Sequence, residues 1–277
     1  MLEIIFLGTG GGRFAMITQK RRTGGLRILS EKLNMHIDPG PGALVYSLEM
    51  GLDPQKIRAI LVSHSHPDHA NDAEVLIEAM SHGTVKKQGL LAAAHSVLNG
   101  NDVCERSISN YHQKMPEKTI DAKVNTAFEV GDVKVRVCKA AHSDPDAVGF
   151  RFETGNFGDF AYMPDSEYFD ELPSFYGGSR LLILSVLRPS GQPWKGHMTT
   201  DDAVKVVNAV RPEMAVITHF GMQIILRDPK READMIEKRT GISTKAAFDG
   251  MCITFDREIY IGKPKKQVDL SRFIEQS

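Results

Sequence analysis

The segment Ser63-His64-Ser65-His66-Pro67-Asp68-His69 constrains this chain more than any other stretch. Three imidazoles and one carboxylate fall within six residues, directly after the apolar run Ala59–Val62. Imidazole nitrogen and carboxylate oxygen are donors that zinc, manganese and iron accept. On an extended backbone His64 and His66, two apart, point the same way and can chelate one ion. Asp68 and His69 fall at the turn into the next helix and can face a second ion. A His-rich polar loop would carry this four-donor pattern only by rare coincidence.

The rest of the chain alternates short apolar runs with helix-like stretches, an α/β pattern. Glu3-Leu7, Ala59–Val62, Leu181-Leu184 and Met214–Thr218 read as buried strands, and Gly89-Ala94 as a further one. Val133, Val135 and Val137 alternate with Lys134 and Arg136, so that strand has one wet face. Ala203, Val206, Val207 and Val210 fit a helix capped by Thr199 or Thr200 and ended at Arg211-Pro212. Further helices are expected from Asn71 or Asp72 to Ser81, over Asp102-His112, and from Pro229 to Arg239 before Gly241. The run Gly8-Gly12 is not a dinucleotide fingerprint, since no helix pattern follows it. No repeat or composition shift marks a boundary, so one domain is expected over residues 1–277.

Composition narrows the function. Hydrophobic residues make up 42% and charged residues 25%, which excludes a disordered or fibrous chain. A net charge of −1, from 34 basic and 35 acidic residues, argues against a globally basic nucleic-acid binder. Three cysteines, Cys104, Cys138 and Cys252, form no CxxC pair and point to a reducing, cytoplasmic setting. No apolar run approaches the roughly 18 residues of a membrane span. The opening segment has no basic flank, so no signal peptide is expected.

The motifs resemble the metallo-β-lactamase superfamily, whose HxHxDH signature is matched by His64, His66, Asp68 and His69. The resemblance runs over nearly the whole chain. Phe6-Leu7-Gly8-Thr9-Gly10 looks like the first strand and loop, and His36-Ile37-Asp38-Pro39-Gly40 like the second motif. His142 matches the third-motif histidine, Asp165 the bridging aspartate and His219 the final histidine. Phe248-Asp249-Gly250-Met251 is similar to the closing turn and strand of the phosphodiesterase branch. The resemblance implies a four-layer αββα sandwich with two divalent metal ions, zinc foremost with manganese and iron as alternatives. His64, His66 and His142 would hold one ion, Asp68, His69 and His219 the other, and Asp165 would bridge. Asp38 would lie buried behind the metal loop.

Two close cations activate water and clamp the oxygens of an in-line displacement. His197, in Lys195-Gly196-His197-Met198-Thr199, resembles the extra histidine of the tRNase Z and cyclic-phosphodiesterase branch, where it lies near the scissile phosphate. Asp68 and His197 are therefore the catalytic candidates. The resemblance implies a metal-dependent phosphodiesterase acting on a small or cyclic nucleotide or RNA, with a homodimer as the expected assembly. Two departures argue against tRNA 3′ processing. Ser185-Val186-Leu187-Arg188 stands where tRNase Z has an acidic residue, and no long arm follows the HxHxDH helix. Without clustered aromatics there is no stacking platform for single strands. The alternatives are a lactonase or other ester hydrolase, an iron-dependent redox enzyme, and a non-catalytic binding protein. His82, His95 and His112 lie outside every motif and read as structural or surface residues.

Overall fold

The computed structural model describes residues 1–155 and 157–262. The first sheet takes β1 (Leu2–Phe6), β2 (Leu26–Leu29), β3 (Asn34–Ile37), β4 (Ala59–Val62), β5 (Leu90–Ala93) and β6 (Lys118–Asp121). The second takes β7 (Ala127–Val130), β8 (Val133–Lys139), β9 (Val148–Glu153), β10 (Asp159–Met163), β11 (Ser179–Ser185), β12 (Met214–Thr218) and β13 (Ser243–Ala246). The chain then returns to the first sheet with β14 (Cys252–Phe255) and β15 (Ile259–Ile261). Strand order is β15-β14-β1-β2-β3-β4-β5-β6 in one sheet and β13-β12-β11-β10-β9-β8-β7 in the other.

Side-chain alternation explains why these strands stack as two inner layers. In β1, Ile4 and Phe6 join the core between the sheets, while Ile5 packs outward with Met50 and Leu52. In β11, Leu181 and Ile183 face the same central core, while Leu182 and Leu184 face the outer helices. A strand apolar on both faces must be covered on both. The covers are α2 (Ala43–Glu49) and α4 (Ala73–Met80) on one side, α6 (Thr200–Val210) and α8 (Pro229–Thr240) on the other. The four-layer αββα sandwich is the result. Shorter helices α1 (Gly12–Thr18), α3 (Pro67–Ala70), α5 (His95–Asn99) and α7 (Met222–Ile225) lie in the connections.

Helix ends follow their sequence signals. Thr199 and Asp202 form a reciprocal capping box at α6, and Arg211 closes it in the left-handed region. Gly241 does the same for α8. Val133, Val135 and Val137 are buried while Arg136 is exposed. Two expectations fail. Asp102-His112 is not a helix: the Asn101 carboxamide accepts from the amides of Val103 and Cys104, and Ser107 and Ile108 both donate to the Val97 carbonyl. These local bonds replace a helical ladder. A helix does follow the Gly8-Gly12 run. It carries no apolar stripe, since Phe14 is 70% and Ile17 68% exposed, and its first amide is anchored by Asp68 instead. The one-domain expectation reaches residues 263–277, which lie outside the described residues.

Candidate metal centre

Strands β3, β4 and β5 run parallel, as do β10, β11 and β12, so their ends gather at one edge of the sandwich. His64 follows β4, His142 follows β8, Asp165 follows β10 and His219 follows β12. The structure brings all seven expected donors and His197 to that edge. His64 Nε2 lies 3.1 Å from His66 Nδ1, which lies 3.0 Å from His142 Nε2. His69 Nε2 lies 2.9 Å from His219 Nε2, which lies 3.2 Å from Asp68 Oδ2. Donors bound to one tetrahedral zinc stand about 3.3 Å apart, given zinc–nitrogen bonds of about 2.0–2.1 Å. The two triads have this spacing. Asp165 lies between them, with Oδ2 3.8 Å from His69 Nε2 and 4.0 Å from His142 Nε2.

The surrounding bonds set which ring nitrogen is free. His142 Nδ1 donates to the Gly196 carbonyl at 2.7 Å, leaving Nε2 unprotonated toward the cluster. Ser63 Oγ donates to Asp38 at 2.7 Å and accepts from His64 Nδ1 at 3.0 Å, again freeing Nε2. His69 Nδ1 donates to Asp38 Oδ2 at 2.9 Å. A carboxylate behind a histidine in this way fixes its tautomer and raises its basicity as a ligand. Asp38 also accepts from the Ser63 amide and the Tyr162 hydroxyl, both at 2.7 Å. It holds these four bonds with φ 51°, and His219 with φ 59°, a sparsely occupied region for side-chain-bearing residues.

Glycines make the close approaches. A Cβ on Gly11 would fall 2.2 Å from His219 Nδ1, and one on Gly40 would fall 2.1 Å from the Asp68 carbonyl oxygen. The Gly12 amide donates to Asp68 Oδ2 at 2.7 Å. Asp249 ties this loop down, accepting from Thr9 Oγ1 and the Arg22 amide.

Electrostatics divide the cluster. Burial holds the His64 and His66 imidazoles below their usual range and His142 at about 4, so this triad is neutral, the form that binds metal. Burial also pulls His219 down, but the Asp165 and Asp68 carboxylates outweigh it and hold it up at about 10. His69 is raised against burial by Asp68 and Asp38. Burial opposes ionisation of Asp68 and Asp165, yet neighbouring histidines keep both carboxyls well below the usual range. Asp165 Oδ1 lies 2.9 Å from His219 Nδ1 and Oδ2 lies 3.3 Å from His197 Nδ1. These contacts lack hydrogen-bond alignment, and Asp165 Oδ1, His219 Nδ1 and His197 Nδ1 are buried without a hydrogen-bond partner. Convergent imidazoles, the buried Asp165 and half-buried Asp68 carboxylates, and orphaned polar atoms fit divalent cations.

Sequence reasoning missed several supporting residues. Asp144 accepts from the Ser65 amide and hydroxyl at 3.0 Å and from Ser96 Oγ at 2.6 Å, tying the His142 loop to the HxHxDH turn. Tyr162 sits mid-strand in an apolar run and gives no local signal. Ser63 looks like an ordinary strand-end residue. His95 pairs with Asp121, and His112 with Glu74 and Glu78, away from the cluster.

Residues 33–220 match the family described as Beta-lactamase superfamily domain. An uncharacterized protein of Methanocaldococcus jannaschii is 37% identical over 269 residues, covering 96% of this chain and 98% of that one. Ribonuclease Z of Methanopyrus kandleri is 29% identical over 156 residues, 55% of this chain and 50% of its own length. Among solved structures, the metallo-beta-lactamase fold protein YhfI from Bacillus subtilis superposes with a TM-score of 0.73 at 19% identity, covering 91% of this chain and 99% of that one.

Proposed function

The chain belongs to the beta-lactamase superfamily and is a metal-dependent hydrolase, and from that premise we propose that it cleaves a phosphodiester, in a small or cyclic nucleotide or in RNA, at a dinuclear centre. The observation that carries this reading is a sixth cluster imidazole, His197, set outside both donor triads but beside Asp165. A lone hydrolytic metal pair needs no such group, whereas a departing alkoxide needs a proton. The relative named Ribonuclease Z supports the substrate class.

His64, His66 and His142 would hold one divalent ion, and Asp68, His69 and His219 the other, with Asp165 spanning them. Zinc suits this nitrogen-rich set best, and manganese and iron are accepted by it. Ions held by these residues would supply an acidified water and Lewis-acid charge for the phosphate oxygens of an in-line displacement. The chain's own residues do the positioning. Asp38 keeps the proton on His69 Nδ1, and the Gly196 carbonyl keeps it on His142 Nδ1. Since His197 Nδ1 faces Asp165, its Nε2 is the nitrogen that gives a proton to the leaving oxygen. Donors come from both sheets, which supports one catalytic domain. No helix among the described residues is long and apolar enough to cross a membrane. Cys104, Cys138 and Cys252 form no disulfide with one another, in keeping with a reducing, cytoplasmic compartment.

The test is hydrolysis of bis-p-nitrophenyl phosphate beside a lactone panel, with wild type and His197→Ala. We expect wild type to turn over the diester; in His197→Ala, hydrolysis of a dinucleotide, whose leaving alkoxide needs a proton, should drop about 10²–10⁴-fold, and that of the p-nitrophenyl ester far less, as for loss of a general acid. Lactone turnover without diester turnover would overturn the proposal.

A further inference from the structure

His197 lies on a strap between β11 and α6 that also carries the chain's single tryptophan, Trp194. The strap is firmly held. Arg188 N donates to the Met198 carbonyl at 3.3 Å, Thr200 N to the Arg188 carbonyl at 3.1 Å, and Gly196 N to Glu167 Oε2 at 3.0 Å. Trp194 and His197 close a tight turn, with His197 N donating to the Trp194 carbonyl at 3.1 Å and the two residues forming an antiparallel bridge. Residues opposed in such a bridge send their side chains to the same face, with Cβ atoms about 5 Å apart. The face that His197 presents is turned to the donor cluster: its ring centroid is 4.8 Å from that of His142.

The indole therefore stands at the mouth of the centre. It is 61% exposed, between a strap that is otherwise buried at Gly196 and Met198. Its ring contact is the Arg188 guanidinium, 5.6 Å from the ring centroid. Arg188 is steered by its Nε bond to the Gln192 carbonyl at 3.1 Å. Among the described residues no carboxylate forms an ion pair with it. A large exposed aromatic surface and an unneutralised guanidinium thus sit side by side, on a rigid strap, next to the candidate general acid. That pairing suits a planar base joined to a phosphate: the base stacks on the indole, and the cation takes the adjoining negative charge.

We infer that Trp194 and Arg188 form a nucleobase subsite, so that the substrate is a nucleoside phosphodiester whose base lies next to the scissile phosphate. This rests on the phosphodiesterase reading above. One ring takes one base, so the subsite reads a mononucleotide unit or a chain end.

Because Trp194 is the only tryptophan, its fluorescence reports this subsite alone. Metal-reconstituted protein is titrated with adenosine 5′-monophosphate and, separately, with ribose 5-phosphate. The inference expects saturable quenching by the first and none by the second. Hydrolysis is then compared for thymidine 5′-(p-nitrophenyl phosphate) and methyl p-nitrophenyl phosphate, which release the same alcohol. Trp194→Ala is expected to lower the thymidyl-to-methyl ratio of kcat/KM about 10-fold, through KM, and Trp194→Phe to keep most of it. Equal quenching by both sugar phosphates, or an unchanged ratio in Trp194→Ala, overturns the subsite while leaving a phosphodiesterase. Failure to hydrolyse either ester overturns the phosphodiesterase reading itself.

Discussion

Replacing Asp38 by Asn tests how the metal centre is held from behind. Asp38 is 2% exposed, and its Oδ2 accepts from Ser63 Oγ, His69 Nδ1 and Tyr162 OH, while Oδ1 accepts from the Ser63 amide. An asparagine can put its oxygen at only one of these positions. The cheaper choice keeps three bonds at Oδ2 and turns an NH₂ group against the Ser63 amide. The backbone adds no penalty, because φ 51° suits Asn as well as Asp. One charge-assisted bond is lost, at a cost of about 1.5–3 kcal/mol, and the remaining three weaken with the charge. In a domain of this size that lowers Tm by roughly 5 °C. Metal affinity falls further, since His69 Nδ1 keeps an acceptor but loses the negative charge that raises its basicity as a ligand; loss of such a partner costs about 10–100-fold. The assay is zinc competition against a chromophoric chelator, with thermal melting of the metal-free protein alongside. Zinc affinity within twofold of wild type would refute the reasoning, whatever the change in Tm.

Other perturbations separate contact, capping and charge. Gly11→Ala places a methyl 2.2 Å from His219 Nδ1 at an extended backbone any residue adopts, so bis-p-nitrophenyl phosphate hydrolysis should fall about 100-fold while circular dichroism is unchanged. Retained activity would show that His219 is free to move. Thr199→Ala removes the α6 capping box and should cost about 1 kcal/mol in urea unfolding; a change below a few tenths would mean that water replaces the cap. His36 is buried and neutral: burial first, then the Arg27 charge, push its pKa well below the usual 6.5. The unfolded chain takes up a proton near pH 6.5 that the folded chain does not. Stability is therefore full above that pH and falls as pH drops, by up to about 1.4 kcal/mol per unit. Denaturation of metal-free wild type between pH 6.5 and 5 should be steeper than that of His36→Gln by this amount, and parallel curves would count against the assignment.

Much of this was legible because the donors sit where strands end. The apolar runs before His64 and His219 marked their strands, and α6 was fixed by its stripe and by Thr199. Position along the chain could order the motifs, but the two triads needed three dimensions, since His142 and His219 reach the HxHxDH turn from the other sheet. What stayed hidden has local causes. The helix α1 carries no apolar stripe to announce it, and its start is held instead by a hydrogen bond from the Gly12 amide to the Asp68 carboxylate, 56 residues away. The Asp102-His112 segment has helix-compatible residues, yet Asn101 and the Val97 carbonyl capture its amides. Ser63, Tyr162 and Asp144 act through partners distant in sequence, for which no spacing rule exists. Trp194 gives no signal in the sequence, because a single ring gains meaning only from its neighbour His197 across a turn.

Joint action of two metal ions on a phosphodiester is tested most directly by adding zinc stepwise to metal-free protein and following bis-p-nitrophenyl phosphate hydrolysis. Activity is expected to rise until both donor triads are filled, at two equivalents per chain, and then to level off. A plateau at one equivalent, or no hydrolysis at any loading, would contradict it.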